Sequence, residues 1–147
     1  MTASTTPAIP AACGTPTTLV VGPDAAAREA AIAAALAHPA GLAEPQPSGP
    51  IAIILEGLAP GTSALDSLPP DLPAAPQSVP QLVRIAPGCL CCTGNLVLRV
   101  TLNRLLRQRP GRLFIGVARS EHLDQLRSWL QAEPYDQLLW LTPDLKA

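Results

Sequence analysis

A chain of 147 residues has room for one domain of ordinary size and can bury a core without disulfides or oligomerisation to rescue it. Hydrophobic residues make up 48% and charged residues 14%, the balance of a folding chain and not of a disordered one. A formal net charge of -1 with no dense basic run lacks the electrostatic footprint of a nucleic-acid binder, and 3% aromatics leaves no stacking platform for single strands.

Residues 1–12 carry Thr, Ala and Pro without a basic residue or a long apolar run, so residues 1–14 read as a flexible tail and not as a secretory signal. Nothing approaches the roughly 18 to 20 continuous apolar residues of a membrane span, and the expected location is cytoplasmic. Residues 15–147 then read as a single domain. Residues 17–21 form a β-branched apolar strand closed by Gly22-Pro23, and Asp24 stands before a helix-forming stretch to Ala37. Residues 51–55 make a continuous apolar run, as in a parallel sheet covered on both faces. The proline-rich segment 59–80 propagates neither helix nor central strand and is expected to be a mobile surface loop.

Residues 81–86 read as a strand, after which Pro87-Gly88 turns the chain into a cysteine cluster. Asn95 can cap a helix with Leu98, Leu102, Leu105 and Leu106 on one face and Arg99, Asn103 and Arg107 on the other, ended by Pro110-Gly111. Residues 112–117 form another strand, Ser120 caps a helix with Leu123, Leu126 and Leu130 on one side, and residues 137–141 form a last short strand. This alternation predicts an α/β fold with a mostly parallel sheet of about five strands and helices on both faces. Ligands of such sheets collect at the carboxyl ends of the strands, where both the Gly22 turn and the cysteine cluster fall.

Gly88-Cys89-Leu90-Cys91-Cys92 places three soft ligands in one turn, too close together for easy mutual disulfides, which points to a reduced compartment. Thiolates at i, i+2 and i+3 suit zinc with its fourth position open for exchange, or copper(I). Two other readings stand beside it: reduced thiols that merely pack, and a redox thiolate activated by the following helix N-terminus. Cys13, His122 and Glu56 are the candidates for a fourth ligand.

Set against the phosphate-loop pattern GxxxxGK[ST], the segment from Gly22 to Glu29 lies between strand and helix but keeps only its first glycine. Ala27 stands for the second glycine, Arg28 for the lysine and Glu29 for the magnesium-binding hydroxyl. A carboxylate about 4 Å from a phosphate oxygen adds roughly 4 kcal/mol of repulsion at an effective dielectric near 20. Nucleotide hydrolysis is therefore not expected, and any cofactor-binding remnant reduces to Gly22 and Arg28.

On these residues the chain resembles the CobW-like P-loop GTPases and metallochaperones, relatives of the hydrogenase and urease nickel-insertion GTPases. Gly22 to Ala30 aligns with their GxxGxGKTT segment. Ile53-Ile54-Leu55-Glu56-Gly57 is similar to their strand ending in Asn-Glu-Phe-Gly, with Leu55 for the asparagine. Their Gly-Cys-x-Cys-Cys followed by Thr or Ser is intact from Gly88 to Thr93. Their apolar strand with Glu-x-Ser-Gly resembles residues 113–119, where Gly116, Ala118 and Arg119 replace glutamate, serine and glycine. The guanine-reading Asn-Lys-x-Asp motif has no counterpart. The resemblance implies a P-loop NTPase-like domain with a metal site on Cys89, Cys91 and Cys92, zinc as cofactor, and neither GTP nor magnesium.

Three functions are thus weighed: a metal-binding protein that buffers zinc or hands it to a client, a GTP-binding metallochaperone with weak hydrolysis through Gly22 and Arg28, and a non-catalytic partner. The last would dimerise with a paralogous GTPase through helix faces such as Leu123, Leu126 and Trp129, and a homodimer is a separate expectation.

Overall fold

The computed structural model describes residues 14–37, 50–57, 65, 81–85, 96–118, 121, 123–132 and 135–147. The proline-rich segment apart from Leu65, the residues chosen as caps at Asn95 and Ser120, and the cysteine cluster lie outside them. In chain order the elements are β1 (Thr15–Val21), α1 (Ala25–Ala37), β2 (Ile51–Glu56), β3 (Gln81–Ile85), α2 (Leu96–Leu106), β4 (Arg112–Val117), α3 (Leu123–Leu130), a 3-10 turn at Tyr135–Gln137, β5 (Leu139–Leu141) and β6 (Leu145–Lys146). The strands line up as β3-β2-β4-β1-β5, with β6 also beside β1, and every pairing is parallel. The architecture is the expected α/β sheet.

Side-chain alternation divides the core into two layers. Leu19, Val21, Ala52, Ile54, Ile115 and Val117 face α2 and α3, meeting Leu98, Leu102, Leu105, Leu126 and Leu130. Val20, Ile51, Ile53, Leu55 and Phe114 face α1, meeting Ile32 and Leu36. Strands β2 and β4 are buried at all positions because each has neighbours on both edges and helices over both faces, which is why their sequences are nearly unbroken apolar runs. Among the described residues, no helix is long and apolar enough to cross a membrane.

One expectation changes. The segment at 137–141 begins as a 3-10 turn, and the chain then returns to β1 as β6, a two-residue strand absent from the sequence reading. Thr142 stands between β5 and β6, and its buried hydroxyl lies 2.6 Å from that of Thr18. Arg127 clasps Asp144 through two hydrogen bonds of 3.1 and 2.6 Å, and this hydrogen bond raises the Arg127 pKa. The α3 residues named for dimer contact also meet the core. Leu126 is buried, Leu123 and Trp129 pack on the same core, and Trp129 lies 4.8 Å from the Tyr135 ring. The Tyr135 hydroxyl donates to Asn103 Oδ1 at 2.9 Å, and burial pushes its pKa up.

Helix α2 ends with Gln108 N–H donating to Leu105 O and Arg109 N–H to Leu106 O, which leaves Arg109 at φ 52°. This left-handed cap position favours glycine, since an L side chain there costs roughly 1–2 kcal/mol. Arg109→Gly is expected to raise stability by about 0.5–1 kcal/mol, the remainder being lost to the greater freedom of glycine in the unfolded chain. Urea unfolding of the two proteins checks it.

Candidate functional site at the carboxyl edge of the sheet

The described residues of the candidate site come from the ends of four strands. Strand β1 ends at Val21 and α1 begins at Ala25, so only Gly22, Pro23 and Asp24 separate them. The Asp24 carboxylate accepts the Ala27 N–H at 2.7 Å, and the Asp24 carbonyl accepts the Arg28 N–H at 3.1 Å. This is an N-cap, with the side chain satisfying an amide that the first turn leaves without a helical partner. Residues 25–29, aligned above with the body of a phosphate loop, are the first turn of a helix.

Gly22 and Arg28, the two residues assigned to a degenerate phosphate loop, do come together. The Arg28 guanidinium donates from Nη1 to the Gly22 carbonyl at 3.1 Å, and Arg28 is 5% exposed. The space a β-carbon would need at Gly22 is taken by Ala147 Cβ at 2.6 Å and Arg28 Cγ at 3.2 Å, while the Ala147 N–H donates to Val21 O at 2.8 Å. Close approach of the β6 segment is therefore one reason for glycine at this turn.

Glu29 occupies the magnesium-ligand position of the pattern. It is 1% exposed and receives both Nη1 and Nη2 of Arg84 at 2.8 and 3.1 Å, a fork-to-fork pair that ties α1 to β3. The sequence reading treated Glu29 only as a repulsive carboxylate and assigned Arg84 no role. A signal was present: Glu29, Ile32 and Leu36 fall on one helical stripe, and an acid on a buried stripe requires a cation from elsewhere in the fold.

Glu56 closes β2 and is buried, its Oε1 accepting the Ala118 N–H at 2.8 Å across the ends of β2 and β4. One residue on, Gly57 at φ 111° donates its N–H to Ile85 O at 2.8 Å. A φ of that size is glycine territory, and it lets the turn after β2 anchor the last residue of β3. Cys89 follows Ile85 by four positions in the sequence. Cys89, Cys91 and Cys92, with Cys13 and His122, lie outside the described residues; among the described residues, no three His, Cys, Asp or Glu side chains cluster as metal ligands.

No protein-family model matches the chain, and neither a curated protein nor a solved structure matches it. Only the parallel α/β architecture with two helical layers is defined at the level of class.

Proposed function

We propose that this chain is a CobW-like cytoplasmic protein that holds zinc, or a similar thiophilic metal, through Cys89, Cys91 and Cys92 and serves metal homeostasis or delivery without hydrolysing GTP. The observation that carries the reading is the unbroken Gly-Cys-x-Cys-Cys sequence directly after β3, a strand whose carboxyl end belongs to the ligand-collecting edge of a parallel sheet. Three thiolates form a donor set that zinc accepts with one position left for exchange. The partner in this reading is a metal-accepting client or a paralogous GTPase.

Three contacts support the absence of hydrolysis. The first-turn amide of Ala27 already meets the Asp24 carboxylate, where a phosphate would need to be. Arg28 points back to its own turn, and Glu29 pairs with Arg84. A triphosphate with magnesium would have to displace Asp24 and approach the Glu29 carboxylate, so the described residues weigh against the GTP-binding alternative.

Native mass spectrometry of protein purified without chelator tests the reading. One metal ion per chain is expected, lost in Cys91→Ser because two thiolates hold zinc far more weakly than three. The bare polypeptide mass for both proteins would remove the metal assignment.

A further inference from the structure

Helix α2 buries Leu98, Leu102 and Leu105 and turns a different stripe outward. Leu96, Val97 and Val100 on that stripe are 64%, 45% and 54% exposed, three large aliphatic side chains gathered at i, i+1 and i+4. The same stripe continues through Asn103 to Arg104 and Arg107, because residues 96, 100, 103 and 107 follow one another along a helix face. The Arg107 N–H bonds to Asn103 O, so the helical path extends to that arginine. Arg99 and Arg109 flank it. Four of the ten Lys and Arg residues thus fall within residues 99–109. Among the described residues none of these four forms an ion pair, and the sequence contains no acidic residue from 86 to 111.

A patch that is apolar at one end and cationic at the other, in a chain of net charge -1, is a local charge asymmetry with an exposed apolar centre. We infer that the outward stripe of α2 docks a protein partner that presents an apolar seam bordered by carboxylates, with Leu96, Val97 and Val100 in the seam and Arg104 and Arg107 facing the acids. A second copy of the chain fits less well, because a symmetric pairing of α2 would bring residues 96–109 against themselves and supply no carboxylate. A membrane surface fits less well too. The stripe has no aromatic anchor, its apolar part covers less than two turns, and the larger apolar face of the helix is already in the core. The inference stands whether or not the thiolates hold an ion.

The test uses the full chain and two helical peptides, each with a leucine seam, one flanked by glutamates and the other by lysines. Saturable binding is expected for the glutamate peptide in fluorescence anisotropy, weakening as salt rises from about 50 to about 300 mM. Arg104→Glu with Arg107→Glu, and separately Leu96→Gln with Val100→Gln, are each expected to weaken it by about tenfold or more. These positions are exposed, so thermal melts should match the parent. Equal binding of both peptides, or unchanged binding by both double variants, would overturn the inference. So would binding only to phosphatidylcholine vesicles with about 30% phosphatidylserine, or a sedimenting homodimer abolished by Leu96→Gln with Val100→Gln.

Discussion

Gly116→Glu is expected to lower stability by about 4 kcal/mol or more, a large part of the roughly 5–15 kcal/mol that holds a domain together. Gly116 lies in β4 between Val20 of β1 and Leu55 of β2, and a β-carbon there would meet Leu55 Cδ2 at 2.8 Å. Leu55 is itself buried beneath α1, so it cannot swing into solvent to make room. Overpacking alone costs about 1–3 kcal/mol, and the carboxylate would be desolvated as well. In space the Leu55 side chain occupies the room that a side chain at Gly116 would need. Gly116→Ala with Leu55→Ala should therefore be less damaging than the sum of the single changes, by about 1 kcal/mol, in a urea-unfolding cycle. Additive losses, or a Gly116→Glu protein as stable as the parent, would show that the two sites are not packed against each other as described.

The strands were legible because burial on both faces leaves a periodicity-independent signature: residues 51–55 and 113–117 are an apolar run without a polar side chain, and they lie in β2 and β4. Helix α1 was legible from Asp24 and the alanine-rich stretch behind it, and α2 from the 98, 102, 105 spacing. What failed to show depended on partners distant in sequence. Strand β6 is two residues long and pairs with β1, while Thr18 and Arg127 hold Thr142 and Asp144 just before it, and none of these marks it locally. At the carboxyl edge, Gly22 and Arg28 were found together, but the helix start at Ala25 followed from the cap and not from the phosphate-loop alignment, which competes with it for the same residues.

The second large effect concerns the Glu29–Arg84 pair. Arg84→Met is expected to cost about 2–3 kcal/mol, below the roughly 3–5 kcal/mol of a fully buried pair because the Arg84 side chain is 25% exposed and partly screened. The loss arises mainly from the carboxylate left behind: Glu29 is 1% exposed, and two of its charge-assisted hydrogen bonds disappear while its desolvation remains. Glu29→Gln keeps the shape and removes the charge, so combined with Arg84→Met it should recover much of the loss, with a coupling of about 1–2 kcal/mol in the double-mutant cycle. The register adds a structural consequence, because Arg84 pairs with Leu55 and Leu55 with Gly116, so one row beneath α1 joins β3 to the centre of the sheet. Amide hydrogen exchange should show β3 opening more readily in Arg84→Met, while the amides of β4 remain protected up to the reduced global stability. Uniform loss of protection across both strands, or a destabilisation below about 0.5 kcal/mol, would mean that the pair does not brace β3 against α1.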